Sequence, residues 1–446
     1  MARKLFISFL GTGNYGKGRY SRNGYTSSET RFIQVATLEY LEHIGEWDKT
    51  SASDHVIILT TKDSESKNWV DDGQIDPNTH ATIKQPGLES ELNRTGFEQQ
   101  TSRIDVPDGS NDGDILKIFE TVYNLLDEGD EVYFDLTHAF RYLPMLMLVL
   151  FNYAKFLKGI TVHSITYGNW EGRDKSTNVS KIVDLTQYST LQDWTNAAAS
   201  FINSGNADQL SKLILVESDR LAKGDMASKR LSCKLKMTAN RLIEVTINMQ
   251  TCRGKKQIGG QPIKKLKRNI ADLNAMELPQ LKPVLNKVSK QFNEFNDKAD
   301  VNNGFRSAKW CLDHGLYQQA ITIMREFIIS YYYDISYQTF PSDFDKINSM
   351  KNRREPIENV LYIIHEKIAD DESQWKCKSE HIQLIHKIIA EIEFNTDIVE
   401  TYNKLGDIRN DINHCGMCDE ARHGNDIIDK ATKIYSEIYT ALYGDV

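Results

Sequence analysis

The sequence has few cysteines, no long uninterrupted apolar run and no excess of positive charge. Six cysteines are scattered over 446 residues, so we expect reduced thiols and no disulfide framework. The longest apolar stretch, residues 143–157, is interrupted by Asn152 and Lys155 and is too short to cross a bilayer. The N-terminal run KLFISFL ends in glycines without a small-residue cleavage site, which predicts a strand and not a signal peptide. We therefore expect a cytoplasmic protein that has no membrane contact.

Charge is distributed unevenly along the chain. The net charge of −8 argues against a protein that is covered by nucleic acid. Residues 229–268, however, contain twelve Lys or Arg side chains and a single acid, Glu244. A basic region on an acidic body is typical of a confined contact with a polyanion. A solvated helix face explains the same count, so an RNA track at residues 229–268 is a hypothesis.

Strand and helix signals alternate over residues 1–187. Short β-branched or aromatic runs predict strands at 4–11, 55–61, 131–137, 160–168 and 180–186. Apolar residues at helical spacing predict helices at 28–44, 113–128 and 140–157. This alternation predicts an α/β, Rossmann-like domain with a mostly parallel sheet. The polar residues 62–102 are rich in turn formers, and we predict a surface insertion there.

The strand signal stops after Thr186. Residues 188–303 are predicted to be a helical linker region that carries the basic segment, with a loop at 253–265 marked by glycines and proline. Residues 304–446 are predicted to be an all-helical bundle, with helices near 305–333, 354–369, 379–393, 399–414 and 424–443. The predicted fold class is thus an α/β N-terminal domain followed by an all-α C-terminal bundle.

The first predicted strand runs into the glycine-rich turn GTGNYG at residues 11–16, which formally matches a dinucleotide-binding pattern. That kind of site also needs a helix start and an acid after the second strand. Here the continuation is polar and turn-like, and the second strand ends at Thr60 and Thr61. The glycines still allow backbone N–H groups to approach an anion, and basic residues follow at Lys17, Arg19 and Arg22. A phosphate-bearing ligand is therefore favoured over a nicotinamide cofactor, with a purely structural turn as the alternative.

A second loop, DLTHAFRYLP at residues 135–144, follows a buried strand and begins a helix. Ligands bind at the carboxyl ends of strands in open α/β sheets. Thr137 is predicted to cap the following helix, whose dipole would favour an anion. His138 and Arg141 add a titratable donor and a fixed charge, although an isolated histidine is more often a satisfied polar group. Together the two loops indicate a nucleotide site.

The segment LGDIRNDINHCG at residues 405–416 gathers an arginine, an amide and a histidine near a helix end. Asn410 and His414 share a helix face, whereas Arg409 lies about 140° around the helix from His414. One helix therefore cannot direct both at one atom unless its end frays or a second copy of the motif faces it. The chemistry available is metal-free RNA cleavage, in which the ribose 2′-OH attacks its own phosphate, histidine transfers a proton and arginine stabilises the phosphorus centre. A surface ion-pair network is the alternative.

A zinc site is a competing interpretation of the same segment. Cys415 and Cys418 have C-x2-C spacing, and His414 and His423 lie close to them in the sequence. Structural zinc sites usually draw a second ligand pair from a separate segment, whereas these four residues are crowded together. We therefore predict no metal, and we expect Gly416 to end the helix.

These residues together resemble the CRISPR-associated ribonucleases that join a CARF sensor domain to a HEPN effector domain. The resemblance rests on an LGTG-x-Y turn after the first strand, here Leu10 to Tyr15, and on a D-hydrophobic-T-H-small-F-R-x-L-P loop, here Asp135 to Pro144. The HEPN signature is R-N-x3-H, and it is matched here by Arg409, Asn410 and His414. Ala139 stands where that subgroup has glycine, and the C-x2-C is not part of the family pattern.

The resemblance implies a CARF domain at residues 1–187 and a HEPN domain at residues 304–446. Members of the family are homodimers or higher homo-oligomers whose sensor domains bind a cyclic oligoadenylate across the two-fold axis. The resemblance makes the following residues the candidates for ligand binding: Gly11, Thr12, Gly13, Asn14, Tyr15, Thr137, His138 and Arg141. Cyclic tetra-adenylate is the favoured ring, and no other cofactor is expected.

For the effector half, the resemblance makes His414 the proton-transfer residue, Arg409 the transition-state stabiliser and Asn410 a positioning amide. The motifs of two chains would form one composite site. The implied activity is metal-independent endonucleolytic cleavage of single-stranded RNA, leaving 2′,3′-cyclic phosphates, in type III CRISPR antiviral defence. The alternatives are a non-catalytic nucleotide sensor whose helical half recruits a partner, and a nicotinamide-dependent enzyme that uses GTGNYG.

Overall fold

A computed structural model of the chain describes residues 2–139, 142–274, 281–417 and 421–444. The chain divides into two compact units, residues 1–192 and 193–446. In the C-terminal unit, one hydrophobic core includes buried residues from Trp194 to Ile438. The separate linker and bundle expected on either side of residue 303 remain a prediction.

The N-terminal unit contains an eight-stranded sheet within the described residues. Its strands are β1 (Lys4–Leu10), β2 (Arg19–Arg22), β3 (Tyr25–Thr26), β4 (His55–Thr60), β5 (Thr101–Asp105), β6 (Glu131–Asp135), β7 (Thr161–Asp174) and β8 (Val179–Asp184). Their spatial order is β3-β2-β8-β7-β6-β1-β4-β5. Only the β2–β3 and β7–β8 pairs of this sheet are antiparallel. The mostly parallel sheet predicted from the sequence is therefore confirmed.

Helices cover both faces of this sheet. They are α1 (Ile33–His43), α2 (Lys62–Ser64), α3 (Leu88–Arg94), α4 (Asp112–Leu125) and α5 (Leu143–Lys158). Side chains alternate along β1, so that Phe6 and Leu10 join the core on the α1 side, whereas Leu5, Ile7 and Phe9 join the core on the α4 and α5 side. Burial on both faces explains why β1 is almost continuously apolar.

Two segments of the N-terminal unit differ from the prediction. Residues 62–102 are not only a surface insertion, because Trp69, Leu88, Leu92 and Phe97 are buried in the core on the α1 side. The polar residues after the glycine-rich turn form strands β2 and β3 instead of a continuous turn. In both segments the apolar residues are too widely spaced among polar ones to give a periodic signal.

The described part of the C-terminal unit is helical and contains no strand. Helix α6 (Thr186–Ser204) begins before this unit and contributes Trp194, Ala197 and Phe201 to its core. The helices that follow are α7 (Asp208–Ala222), α8 (Met226–Gln250), α9 (Gly254–Ile258), α10 (Gln261–Asn274), α11 (Lys282–Lys290), α12 (Asn302–Asp313), α13 (Tyr317–Thr339), α14 (Pro341–Asp345), α15 (Met350–Glu366), α16 (Ile382–Glu391), α17 (Thr396–Asn413) and α18 (Gly424–Tyr443). The all-α prediction for this half is confirmed, and none of the helices described is both long and apolar enough to pass through a bilayer.

Two local predictions in the C-terminal unit are wrong. The helix predicted at 305–333 is two helices, α12 and α13, separated at Gly315, whose φ is +71°. The predicted loop at 253–265 is mostly helical, because α9 and α10 are interrupted only around Gly259 and Gly260. Gly260 has a φ of +68°, a conformation that glycine adopts without strain and that ends α9 before α10 begins.

Candidate functional site

The two ligand loops predicted from the sequence meet at the carboxyl ends of two central strands of the sheet. Strand β1 lies between β4 on one side and β6 on the other, and it is parallel to both. The first helix after β1 is α1, on one face of the sheet, whereas the first helix after β6 is α5, on the other face. In open α/β sheets such a switch point forms a crevice outside the carboxyl ends of the two strands. The turn at 11–16 follows β1, and the loop at 135–144 follows β6.

Tyr15 folds back beneath its own glycine-rich turn. A Cβ atom at Gly11 would lie 2.5 Å from the Tyr15 hydroxyl oxygen, and one at Gly13 would lie 3.1 Å from the Tyr15 ring. A side chain at position 11 would therefore force the phenol away from the backbone against which it lies. The Tyr15 ring also stacks on the His138 imidazole, with the ring centroids 3.9 Å apart and the planes inclined by 21°. This stack joins the two ligand loops.

The carbonyl groups of the turn are hydrogen-bonded to residues far away in the sequence. The Asn68 side-chain amide donates to the carbonyl oxygens of Gly11 and Gly13, each at 2.8 Å. The Gln74 amide donates to Thr12 and Gly13 at 3.3 and 3.2 Å. Neither Asn68 nor Gln74 was predicted as a site residue, since a polar residue inside a polar segment gives no sequence signal.

Arg31 extends this network. Its guanidinium is buried and donates to the carbonyl oxygen of Tyr15 at 3.1 Å and to the Asn68 side-chain oxygen at 3.4 Å. Burial lowers the pKa of Arg31, while nearby acidic groups including Glu91 oppose this effect. The carbonyls of the turn are thus bound by interior donors. The N–H groups of Thr12, Asn14 and Tyr15, in contrast, donate to no partner in the part of the chain that the structure describes.

Thr137 has a different role from the predicted one. Its hydroxyl donates to the Asp135 carboxylate at 2.6 Å and accepts from the Gly168 N–H at 2.8 Å. Helix α5 begins only at Leu143, after Tyr142, and has Pro144 in its first turn. The prediction that Thr137 caps this helix is therefore wrong, because a proline that is pre-organised for the first turn sets the start further along the chain.

Asp135 is a buried acid at the centre of the switch point. Its carboxylate accepts from the hydroxyls of Ser8 on β1, at 2.8 Å, and of Thr137. Burial raises the pKa of Asp135 to about 6, although both hydroxyl bonds act in the opposite direction. Asp135 is inaccessible to a ligand, so it positions Thr137 and the loop that follows.

His138 is a neutral group in this site at physiological pH. Burial lowers its pKa to about 4, so the imidazole supplies no positive charge to a phosphate. Its Nε2 atom is buried and has no hydrogen-bond partner among the described residues. Arg141, the other predicted ligand residue of this loop, lies outside the residues that the structure describes.

The three basic residues after the glycine-rich turn are dispersed. Lys17 and Arg19 are exposed, whereas Arg22 is paired with Asp184 at 2.6 Å. Because strand β2 follows the glycines, no helix begins at the turn, as a dinucleotide fingerprint requires. This geometry disfavours the nicotinamide alternative.

A cleft of about 780 Å³ opens beside the turn. It lies beyond the carboxyl ends of β1, β4 and β5 and extends to α4. Its lining consists mainly of hydroxyl, lysine and acidic groups, contributed by Thr12, Thr61, Lys62, Asp63, Asp105, Val106, Pro107, Asp108, Ser110, Lys117 and Thr121. The volume is within the range of small-molecule sites. A ligand bound at the turn would therefore have room on the β4 side.

In the C-terminal unit, the second candidate site lies at the end of α17. Asn395 caps the start of this helix and accepts from the N–H groups of Asp397 and Ile398. Residues on one side of the helix are buried in the core, including Ile398, Tyr402, Leu405 and Ile408. Arg409 lies on the same side, four residues after Leu405, and is half-buried, whereas Asn410 and His414 point away from this side and are exposed.

The side chains of Arg409, Asn410 and His414 are not joined to one another. The backbone N–H of His414 donates to the Asn410 carbonyl at 2.9 Å. No side-chain hydrogen bond or ion pair links the three residues, and Arg409 has no ion-pair partner in the described ranges. The alternative interpretation, a surface ion-pair network, is therefore not found at Arg409 among the described residues, and the three groups are available to an external partner.

The chain beyond α17 is held back against the helix by Asp411. Cys415 and Gly416 have φ values of +56° and +64°, and the Gly416 N–H donates to the Asp411 carbonyl at 3.0 Å. The buried Asp411 carboxylate accepts from the backbone and the guanidinium of Arg422, at 3.1 and 3.2 Å. This connection fixes the helix end that carries His414. Asp411 was not predicted as a site residue, although it lies inside the motif.

The zinc interpretation involves Cys418, which lies outside the described residues. Cys415 and His414 are exposed next to the helix end, and His423 precedes α18. Among the residues described, no three His, Cys, Asp or Glu side chains are grouped as a metal site would need. The prediction that no metal binds here stays a prediction.

The basic segment 229–268 lies on α8, α9 and α10. Three of its cations are paired with acids, namely Lys234 with Asp272, Arg241 with Glu244 and Lys267 with Asp297. The other nine are exposed, and none forms an ion pair with a described residue: Lys229, Arg230, Lys236, Arg253, Lys255, Lys256, Lys264, Lys265 and Arg268. The segment therefore carries an accessible positive charge.

Comparison with known proteins shows a similarity to part of a curated protein and to the fold of a solved structure. No family model matches the chain. Over 211 residues the chain is 23% identical to CRISPR-associated protein MJ1674 of Methanocaldococcus jannaschii, a match that covers 47% of this chain and 30% of the relative. A solved structure, Enterococcus italicus Csm6 bound to cyclic hexa-2′-fluoro-hexa-dAMP, aligns with 100% of this chain and 96% of its own at 10% identity, with a TM-score of 0.43. The chain is thus similar in sequence to part of a CRISPR-associated protein.

Proposed function

We propose that the chain is a ribonuclease of CRISPR defence whose N-terminal unit binds a cyclic oligoadenylate and whose C-terminal unit cleaves single-stranded RNA. The observation that carries the sensing half is the turn at the β1/β6 switch point. Its carbonyls are bound by Asn68, Gln74 and Arg31, while the N–H groups of Thr12, Asn14 and Tyr15 have no partner among the described residues. Free N–H groups at a glycine-rich turn suit a phosphate.

The shape of the sensing site favours a nucleotide over a small inorganic anion. The Tyr15 and His138 rings form a stacked pair between the two loops, and the adjoining cleft has room for more than a phosphate group. Neutral His138 can donate or accept one hydrogen bond through Nε2, which has no described partner. A ring of adenylates, which alternates phosphates with bases, provides both kinds of contact. Cyclic tetra-adenylate is the ring that we would test first.

The cleaving half is proposed from the end of α17. Arg409, Asn410 and His414 lie within two turns of one helix and have no side-chain partner in the described residues. In the proposed reaction the ribose 2′-OH attacks the adjacent phosphorus, which forms a 2′,3′-cyclic phosphate and releases the 5′-oxygen. His414 transfers a proton and Arg409 stabilises the charge on the phosphoryl oxygens. A second chain would supply the matching groups that one helix cannot direct at the same atom.

The proposal is tested by cleavage of a labelled single-stranded RNA in EDTA, with and without cyclic tetra-adenylate. We expect wild type to cut only with the ligand, and His414→Ala to lose at least about a hundredfold in rate, as is typical when a general acid–base group is removed. Gly11→Ala is expected to lose the ligand response, because its methyl group would displace Tyr15. If the wild-type chain binds a cyclic oligoadenylate but cleaves no RNA with any ring size, the chain is a non-catalytic sensor.

A further inference from the structure

A partly enclosed cavity of about 560 Å³ lies within the C-terminal unit. It is bounded by the end of α8, by α9, by the middle of α13 and by the start of α15. Its apolar lining comes from Ile258, Ile323, Phe327 and Met350, and its polar lining includes Thr322, Glu326, Ser330 and Arg354. An apolar wall with a few convergent polar groups is typical of a ligand pocket.

Glu326 and Arg354 form an acceptor and a donor side by side in this cavity. The Arg354 guanidinium lies 2.9 Å from one Glu326 carboxylate oxygen and also donates to the Glu326 backbone carbonyl. The second carboxylate oxygen has only the Arg325 guanidinium nearby among the described residues, at 3.8 Å. The Glu326 side chain is 40% exposed, and the contacts of Arg354 with Glu326 use only Nη2, which leaves Nη1 without a partner among the described residues. Both groups therefore retain hydrogen-bonding capacity for a ligand.

The cavity is close to the candidate catalytic helix end. Cys252 lines the cavity, and its Sγ lies 3.9 Å from the Gln319 carbonyl oxygen at the start of α13. The adjacent Gln318 donates to Asn413, the residue before His414, at 3.4 Å. The first turn of α13 thus connects the wall of the cavity to the end of α17.

Positive charge lies at the entrance of the same cavity. Gly254 and Lys255 line it, and Arg253, Lys255 and Lys256 are exposed where α8 passes into α9. These cations belong to the basic segment at residues 229–268. A strand of RNA that follows the basic segment would therefore meet the cavity near the end of α17.

We propose that this cavity binds a guanine base of the RNA substrate next to the phosphate that is cleaved. The Watson–Crick edge of guanine presents two adjacent donors, N1–H and N2–H, which suit the Glu326 carboxylate, and it presents O6 as an acceptor for Arg354. Adenine, cytosine and uracil do not offer two adjacent donors beside an acceptor. The base would pack on the apolar lining formed by Phe327 and Ile323. This inference rests on the proposed ribonuclease function, whose substrate preference it specifies.

The first test measures RNA binding without cleavage. The full chain carrying His414→Ala is titrated against labelled oligouridylates that contain one guanosine, one adenosine or neither, and fluorescence anisotropy is recorded. We expect the guanosine oligomer to bind at least about tenfold more tightly, and Glu326→Gln to abolish the difference, because the amide replaces one acceptor by a donor. Glu355→Gln is the matched control, since Glu355 lies on α15 but pairs with Lys378 at 2.6 Å and does not line the cavity. Equal affinity for all three oligomers, or an unchanged preference in Glu326→Gln, would overturn the inference.

A second variant separates a local effect from misfolding. Met350 is 54% exposed at the rim of the cavity, so Met350→Trp would obstruct the entrance while the core remains intact. We expect it to lose the guanosine preference with an unchanged unfolding midpoint. A retained preference in this folded variant would contradict the placement of the base.

The second test maps the cut positions in a mixed-sequence RNA with the activator present. We expect wild type to cut next to guanosine, and the Glu326→Gln variant to cut without that preference. Cleavage without any base preference would overturn the guanine pocket and leave the ribonuclease function standing. Guanosine-dependent binding without cleavage, whatever the ring size of the cyclic oligoadenylate, would overturn the ribonuclease function and leave the guanine pocket standing.

Discussion

The two candidate sites are built in opposite ways. In the N-terminal unit the ligand loops are held by interior partners, with Asn68 bound to the glycine-rich turn and Asp135 bound to Thr137. In the C-terminal unit Arg409, Asn410 and His414 have no side-chain partner among the described residues, and only the helix end beneath them is fixed, through Asp411. One site is organised before its ligand arrives, whereas the other holds its groups apart.

This difference suggests how the two halves divide their work. A preorganised site binds its ligand with little loss of conformational entropy, which suits a sensor of a scarce messenger. An open set of groups is inactive until a second set faces it, which suits an effector that must remain off. A hundredfold switch between these states requires about 2.7 kcal/mol of differential affinity of the ligand for the active arrangement.

The largest expected effect concerns the incompleteness of the site on α17. When His414→Ala chains are mixed with wild type and allowed to exchange, activity should fall with the square of the wild-type fraction, because each active site in a dimer would need both copies. The measurement is the initial rate of RNA cleavage, with saturating cyclic tetra-adenylate, against the mixing ratio.

The control for this mixing experiment is a chain with Glu380→Gln, a substitution of an exposed side chain that belongs to neither candidate site, which should leave the rate independent of the mixing ratio. A rate that falls linearly with the wild-type fraction would show that each chain carries a complete site. The contrast between a preformed sensor and an incomplete effector would then be wrong.

The second-largest effect is expected on the affinity of the N-terminal unit for its ligand. Asn68→Ala removes two hydrogen bonds, to the carbonyls of Gly11 and Gly13, and leaves these acceptors unsatisfied or rearranged. Such a loss costs about 1–3 kcal/mol, so the affinity for cyclic tetra-adenylate should fall by about ten- to a hundredfold in a calorimetric titration. Asn93→Ala, at an exposed position near the end of α3, is the matched control. If Asn68→Ala binds cyclic tetra-adenylate as tightly as wild type does, the hydrogen bonds from Asn68 to the glycine-rich turn do not organise the site.

The sequence predicts the strands that are buried on both faces and the helices that are strongly periodic. The predicted ranges for β1, β4, β6 and β8 agree with the structure to within a few residues, because each is a short run of β-branched or aromatic side chains. Strand β2, with the sequence RYSR, was missed because half of its residues are charged. Strand β5, TSRID, is a polar edge strand with no buried residue, so it carries no apolar signal.

The site was predictable only where its chemistry is local in sequence. The glycine-rich turn and the loop after β6 were found because each is a compact motif. Asn68, Gln74 and Arg31 were missed because their hydrogen bonds join residues that are distant along the chain, and a polar residue shows no partner in its own neighbourhood. The role of Thr137 was misjudged for the same reason, since its partner Gly168 lies on another strand.

A third prediction concerns the accessible charge of the basic segment. Replacing Lys264, Lys265 and Arg268 on α10 by glutamine should weaken RNA binding by about tenfold at low salt. The slope of log affinity against log salt should become shallower by about 0.7 for each phosphate that is no longer neutralised. The same replacement of Lys282, Lys287 and Lys290 on α11, which are also exposed, is the charge-matched control. Equal losses of affinity in both variants would show that the whole helical surface attracts RNA and that residues 229–268 form no specific track.

The smallest effect that we expect tests the organisation of the sensor through pH. His138 has a pKa of about 4 in the folded chain, below the value near 6.5 of an unperturbed histidine. Its contribution to stability is therefore complete above pH 6.5 and decreases as pH falls toward 4, by about 1 kcal/mol at pH 5.5. Asp135, with its raised pKa of about 6, acts in the opposite direction, so the effect of His138 must be isolated as a difference between two chains.

His138→Phe provides that difference, because phenylalanine keeps a ring against Tyr15 and does not titrate. Hydrogen exchange of the β1 and β6 amides, corrected for the intrinsic rate, is compared between wild type and His138→Phe at pH 7.5 and 5.5. We expect the wild type to lose protection relative to the variant on going to pH 5.5, since only the wild type must keep a buried imidazole neutral. If both chains lose protection equally, His138 is solvated in the folded chain. The stack with Tyr15 would then not be the buried connection between the two loops on which the contrast with the open effector site depends.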